Sequence, residues 1–313
     1  MLKGRIKSIK HIDDVDYVYD LSIEDNHNFI ANDVVVSNCH HIPANTVSEV
    51  SRYCKDAYYR IGVSATPWRD AGDDLLIEAT LAKRKPENNI TASKLIQLGY
   101  LVPCTIYFVP IYETFKGKNY NKLYNEAIIN NEKRNDAIVK IAVKMNKIKK
   151  RTTLILIQRI EHGENLLKKL TKILPVKANV INVEDDKNGK KVAVRVKSIE
   201  FLSGKDDAIR RKAVLQAVKE GKVEILIGST IADEGLDLPN LDCLILAGGG
   251  KSSTRAFQRI GRVLRLSPGK ERAIIFDFED HTPMLYRHAK VRKKLYKQEP
   301  EWEVKYLNPN MLK

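Results

Sequence analysis

The chain has 313 residues, a formal net charge of +15, 43% apolar and 30% charged residues. That length allows two domains and a sizeable core, and the apolar content excludes a disordered chain. Every apolar run falls short of the roughly 20 residues that span a bilayer, and no h-region follows Met1, so neither a membrane partner nor a secretory signal is expected and the setting reads as cytoplasmic.

The first 38 residues stand apart. They hold four basic residues against seven acidic ones, a net of −3, so the remaining 275 carry +18. Such an excess points to a polyanionic partner, most often nucleic acid. Short strands are predicted at Tyr17–Ile23, Asn28–Ile30 and Val34–Val36, separated by Asp and Asn turns. From about Asp56 strands and helices alternate. Tyr58–Val63 and Leu101–Val109 read as buried strands, and Asn125–Ile148 has apolar residues at helical spacing. Then come strand Thr153–Ile157, helix His162–Leu174, strand Ser198–Leu202, helix Asp206–Glu220, strands Val223–Ile227 and Cys243–Leu246, helix Thr254–Leu264, strand Arg272–Phe278 and a basic helix Met284–Lys297. This alternation implies a parallel sheet covered on both faces. Val180–Val196 interrupts it; Asn188-Gly189 between alternating residues is a strong hairpin signal, so the segment reads as an inserted β-hairpin.

The four cysteines, at 39, 54, 104 and 243, show no C-x-x-C spacing, and no histidine pair completes a zinc pattern, so no metal site is expected within the chain. Cys54, Cys104 and Cys243 lie in apolar contexts and read as inert core thiols. Gly248-Gly249-Gly250-Lys251-Ser252 looks like the end of a phosphate-binding loop. The full G-x-x-x-x-G-K-[ST] pattern needs glycine at position 245, which is Ile245. The chain therefore shows no phosphate-cradling loop.

Five segments recur in a telling order. They are Cys39-His40-His41-Ile42-Pro43, Ser64-Ala65-Thr66-Pro67, Gln158-Arg159-Ile160-Glu161-His162-Gly163, Ile231 to Pro239 with Asp233-Glu234-Gly235-Leu236-Asp237, and Gln258-Arg259-Ile260-Gly261-Arg262-Val263-Leu264-Arg265. Together they resemble superfamily 2 helicases of the XPB-like, DExH-box kind, over roughly Cys39 to Phe278. The resemblance implies an α/β fold: a complete C-terminal RecA-like parallel-sheet domain at 113–313 and the end of a first RecA-like domain at 39–112. It also implies roles. Arg262 and Arg265, three apart on one helix face, match the arginine fingers that meet the transferring phosphate when the cleft closes. His40, Gly235, Asp237, Gln258 and Arg259 match positions at the ATP cleft. Ser64, Ala65 and Thr66 match the motif that couples hydrolysis to domain movement, and Ser229 and Thr230 fall where nucleic-acid phosphates are met. ATP and Mg²⁺ are the implied cofactors and DNA the implied partner. The principal Mg²⁺ ligands, the Asp-Glu that precedes Cys-His in a D-E-C-H box, do not stand before Cys39.

The residues that do stand there carry a second resemblance. Val18-Tyr19-Asp20-Leu21-Ser22-Ile23-Glu24-Asp25-Asn26-His27-Asn28-Phe29-Ile30-Ala31-Asn32, then Val34-Val35-Val36-Ser37-Asn38, resemble the last two blocks of inteins, with Cys39 as the first extein residue. This implies a small all-β Hint-fold fragment at 1–38. Cys39 matches the thiol that takes over the acyl group, and Asn38 the residue that cyclises to release the intein. His27 matches the proton-transferring helper, and Asp20 an acidic position tied to Cys39. Ser37 stands where the family usually has His, which leaves His27 as the helper. The junction cuts the D-E-C-H box between Glu and Cys. Splicing in trans with a complementary N-terminal intein–helicase chain is therefore expected, or else truncation of a longer precursor. The rival readings are a restriction-type DNA translocase subunit and an ATPase-inactive DNA-binding remnant.

Overall fold

The computed structural model describes residues 28–31, 34–38, 61–63, 90–117, 119–147, 151–185, 190–229, 238, 240–249 and 253–308; up to 63, and at 253–255, it describes the backbone alone. The chain divides into two compact units, Met1–Asn89 and Ile90–Lys313.

In the first unit β1 (Asn28–Ala31) pairs antiparallel with β2 (Val34–Asn38), as predicted for two short strands. β2 continues into a parallel pairing with β3 (Ile61–Val63), with Asn38 opposite Val63. The carboxyl ends of β2 and β3 are thus neighbours. The strand predicted at Tyr17–Ile23 lies outside the described residues.

The second unit is built on a seven-stranded sheet in which every pairing is parallel. Its central strands β5 (Thr153–Leu156), β9 (Ile225–Gly228) and β10 (Cys243–Leu246) are buried at every position. Continuous apolar runs of this kind suit parallel strands covered on both sides. Side chains alternate across the sheet: Leu154 and Leu156 join one core with Ala213, Ala256 and Ala289, while Ile155 and Ile157 join another with Ile138 and Leu166. Hence α5 (Ala208–Lys219), α6 (Ser253–Val263) and α7 (Pro283–Tyr296) cover one face. The opposite face is covered by α3 (Glu132–Lys147) and α4 (Ile160–Ile173).

Two expectations are corrected, and one strand is added to those predicted. The strand predicted at Leu101–Val109 appears as β4 (Cys104–Ile111), but it does not belong to a first domain ending at 112. It is hydrogen-bonded along its whole length to β11 (Ala273–Asp280), and on its other side to β12 (Trp302–Tyr306). The unit boundary falls at 89/90 because Val102, Cys104, Ile106 and Phe108 bury their side chains in the second unit's core. Ahead of β4 lies a short helix α1 (Ala92–Gln97) with Thr91 as its cap. The single helix predicted over Asn125–Ile148 is split. After α2 (Tyr120–Tyr124) a π-helical turn covers Asn125–Ile129, and α3 begins afresh because the Asn131 side chain accepts from the Arg134 amide at 3.0 Å. Lastly, β12 carries no strong sequence signal, and its anchor is Trp302, buried and stacked on Phe257 of α6 with centroids 4.6 Å apart.

The inserted hairpin is present as β6 (Ala178–Glu184) and β7 (Lys191–Lys197), a two-stranded sheet of its own. Ile181, Val183 and Val196 face the core shared with α5, while Val180 and Arg195, paired opposite each other, face outward. Its tip, 186–189, lies outside the described residues.

One glycine sets how closely α4 approaches the sheet. A Cβ at Gly163 would stand 2.7 Å from Phe201, on β8 (Ile199–Leu202), and 2.7 Å from Ile157. In an open helix, alanine in place of glycine stabilises by about 1 kcal/mol. Here Gly163→Ala is expected to destabilise by about 1–3 kcal/mol through overpacking, read as a lower urea midpoint; a raised midpoint would refute the close approach.

Candidate nucleotide and nucleic-acid site

Because the sheet is parallel, the carboxyl ends of its strands share one edge, where ligands of open α/β folds bind. Gln158-Arg159 follow β5, Ser229 follows β9, and Ala247-Gly248-Gly249 follow β10 on the way to α6. Ser229 is buried, with its amide bonded to Leu202 O of β8. Arg159 Nη2 reaches Asn121 Oδ1 of α2 at 3.2 Å.

Helix α6 carries Gln258, Arg259 and Arg262, and Arg265 lies just past its end. Arg259 is buried, whereas Gln258, Arg262 and Arg265 are half-buried. Arg259 and Arg262 line one small cavity with Leu154, Leu156, Leu238 and Leu241. The end of the helix is held in two ways. Lys270 Nζ, itself buried, donates to Val263 O at 2.7 Å and to Leu241 O at 2.6 Å, supplying the cation that a helix C-terminus favours. Arg265 is bridged to Leu101, and the Val102 amide donates to Leu264 O.

The loop that follows β10 is held from beneath. Arg134 is fully buried; its Nη1 donates to Ala247 O at 2.8 Å, its Nε to Asp280 at 2.9 Å, and its guanidinium lies 4.4 Å from the Phe278 ring centre. The Tyr124 hydroxyl donates to Gly248 O at 2.6 Å. Gly249 has φ +54°, and a Cβ there would come within 3.1 Å of Ile128. This loop therefore turns its carbonyls inward to a buried arginine and tyrosine, unlike a loop that cradles phosphate.

Sequence reasoning missed this layer because Arg134, Tyr124 and Lys270 belong to no motif. The Asn131 cap signal, three residues before Arg134, was the available hint. His162 belongs to a motif that gives it no role of its own. It is buried, and its Nε2 lies 2.8 Å from Asn135 Oδ1. Since Asn135 Nδ2 donates to Ile129 O, its oxygen faces the imidazole, which assigns the proton to Nε2. Burial, with nearby Arg134, pulls His162 down to about 3.

Of the remaining predicted residues, Asn38 is seen as the last backbone position of β2. Asp20, His27, Cys39, His40, Ser64, Ala65, Thr66, Thr230, Gly235 and Asp237 lie outside the described residues, as does Cys54. Cys104 and Cys243 are buried thiols; burial pushes Cys243 up to about 12 and Cys104 higher still, which makes both inert.

Residues 133–267 match the helicase conserved C-terminal domain. The matched stretch contains the ends of β5, β9 and β10 and all of α6. The chain is 30% identical over 268 residues to “Putative helicase 22” of Sulfolobus islandicus filamentous virus (isolate Iceland/Hveragerdi), covering 82% of this chain and 42% of that protein. It is 25% identical over 264 residues to the ATP-dependent DNA helicase uvsW of Enterobacteria phage T4, covering 82% and 47%. It is 24% identical over 250 residues to the DNA 3'-5' translocase XPB2 of Sulfurisphaera tokodaii, covering 74% and 55%. The crystal structure of T4 UvsW superposes with a TM-score of 0.50 over 87% of this chain and 53% of that one, at 21% identity, so the two share a fold. The chain spans about half the length of these relatives. No helix among the described residues is long and apolar enough to cross a membrane.

The buried imidazole has a measurable consequence. Its folded pKa lies below the ordinary 6.5, so between pH 6.5 and about 3 the unfolded chain binds the extra proton. The stability it contributes is complete above pH 6.5 and falls away as the pH drops toward 3, by about 1.4 kcal/mol per pH unit. Denaturant midpoints of the wild type and His162→Gln, followed across that range, are expected to differ by this slope; parallel curves would refute it.

Proposed function

We propose that the chain is the C-terminal part of an ATP-dependent superfamily 2 DNA helicase or translocase, and that residues 1–38 are an intein segment removed by protein splicing. The motor reading is carried by one observation. Gln258, Arg259 and Arg262 sit on a helix whose C-terminal end is held by Lys270, at the carboxyl edge of a domain that matches the helicase C-terminal family.

The chemistry asked of this helix is electrostatic. Phosphoryl transfer spreads charge over the γ-phosphate oxygens, and a preorganised guanidinium arriving as the cleft closes stabilises that charge more than the ground state. Arg262 and Arg265 are assigned that task, with Gln258, Arg259, Asp237, Gly235 and His40 at the nucleotide. Mg²⁺, when bound, would supply positive charge that stabilises phosphoryl transfer; the carboxylates that would hold it and the phosphate-cradling loop belong in this reading to the N-terminal segment. Ser64, Ala65 and Thr66 couple the cleft to domain movement, and Ser229 and Thr230 meet DNA phosphates.

Splicing joins the two parts. The Cys39 thiolate attacks the thioester that joins the N-terminal extein to the nucleophilic cysteine of the first intein half, taking the acyl group and releasing that cysteine's thiolate. The Asn38 side-chain amide then attacks its own carbonyl, forming a succinimide and breaking the 38–39 peptide bond, with His27 moving the proton and Asp20 beside the thiol. The freed Cys39 amine takes the acyl group from sulfur, leaving Asp-Glu-Cys-His continuous. The parallel pairing of β2 with β3, which ends the intein segment at Asn38 beside the strand that leads to Ser64, is compatible with this junction.

Two measurements test the two halves of this reading. Asn38→Ala, combined with the complementary N-terminal segment, is expected to give no ligated product lacking residues 1–38 by mass spectrometry; such a product would overturn the splicing assignment. In the ligated protein, Arg262→Ala is expected to cut ATP turnover by about 10³-fold or more with nucleotide binding nearly intact. Unchanged turnover would overturn the finger assignment.

A further inference from the structure

The half of the carboxyl edge that no helicase motif occupies carries two exposed tyrosines and a third that is half-buried. Strands β12, β4 and β11 are neighbours in the sheet, and their chains emerge side by side at that edge. Tyr306 ends β12, Tyr112 follows β4 and His281 follows β11. Tyr112 is 72% exposed and Tyr306 52% exposed. Tyr112 and His281 have ring centres 4.8 Å apart, and His281 and Tyr286, on the first turn of α7, 5.2 Å. Two lysines of α7 lie over these rings: Lys290 Nζ is 4.5 Å from the centre of Tyr286, and Lys293 Nζ 3.8 Å from that of Tyr306. Arg287, also exposed, flanks them. Of the carboxylates nearby, Glu279 is buried and engaged by the Tyr306 hydroxyl at 2.8 Å, and Glu113, beside Tyr112, is paired with Lys133 at 2.7 Å.

Exposed aromatic rings are a poor surface for a lone soluble domain, and lysines over them add positive charge where a phosphate chain passes. Alternating aromatic faces and cations is how unpaired nucleic acid is held without regard to sequence, with bases stacked on rings and phosphates beside ammonium groups. A duplex hides its base faces and gains little from tyrosines. We propose that Tyr112, Tyr286 and Tyr306, with Arg287, Lys290 and Lys293, form a stacking platform for single-stranded DNA. This inference rests on the DNA reading above and extends it. Counted along the strand order from β12 to β9, the platform and Ser229 are five strand spacings apart, about 24 Å. An unpaired strand crossing the motor's edge is long enough to touch both.

The test uses the whole chain and fluorescence anisotropy with labelled oligo-dT, oligo-rU and a duplex. Tyr112→Ala and Tyr306→Ala are each expected to weaken oligo-dT binding about 5- to 100-fold and to leave duplex binding unchanged. Tyr112→Trp keeps it, because stacking needs a ring and not a hydroxyl. Lys290→Gln lowers the salt slope on oligo-dT by about 0.7. Alanine variants that bind oligo-dT as the wild type does, or that lose duplex equally, overturn the platform. A wild type that prefers oligo-rU, with the loss falling on rU, overturns the assignment to DNA. A wild type that binds neither DNA form instead overturns the underlying DNA reading.

Discussion

Two carboxylates on one strand organise the second unit. Asp277 and Asp280 both lie on β11 and are buried; being an odd number of residues apart, they project from opposite faces of the sheet. Asp277 is gripped by Arg292 of α7 through two bonds of 2.8 Å and by the Tyr296 hydroxyl at 3.0 Å. Asp280 is gripped by Arg134 of α3, on the other face. Burial, with a smaller push from Asp277, raises Asp280, and Arg134 opposes that shift. Buried pairs of this kind add little net stability, yet losing one partner strands a charge at a cost of about 3–5 kcal/mol. What they fix is position: each helix is pinned to the same strand from its own side.

Arg134 also holds Ala247 O, so the pin that locates α3 locates the end of β10 as well. Arg259 and Arg262 of α6 are referenced to the middle of the same sheet, where they line a cavity with Leu154 and Leu156 of β5. That suits a task in which a guanidinium must already be in place when a cleft closes, since reorganisation at that moment would weaken the effect.

Most of the parallel sheet was legible in the sequence because its strands are short apolar runs and its helices have strong periodicity. Cys243–Leu246 matches prediction residue for residue. The failures share a cause: they depend on partners far away in sequence. β4 looks like any buried strand, and only its pairing with β11 assigns it to the second unit. β12 is charged at Glu303 and Lys305 and reads as coil until Trp302 finds Phe257. At the candidate site, the arginines of α6 were found through motif spacing. Arg134, Tyr124 and Lys270 bind main-chain carbonyls, and a carbonyl leaves no trace in sequence. The π-helical turn was hidden because its residues keep an apolar pattern while the hydrogen-bond ladder shifts beneath them.

The placement of β4 has a consequence for how the chain is made. It leaves the ribosome before any other strand of the seven, yet both its neighbours lie beyond residue 272. Strands β5, β8, β9 and β10 can assemble as they are synthesised, but β4 must wait, with Cys104, Ile106 and Phe108 unburied, for almost the whole unit to follow. Closing a loop of that length is slow, and an unpaired apolar strand in the interval is exposed to wrong pairings. Translation order and sheet order thus oppose each other at this one strand, which makes it the step where a nascent chain depends most on protection.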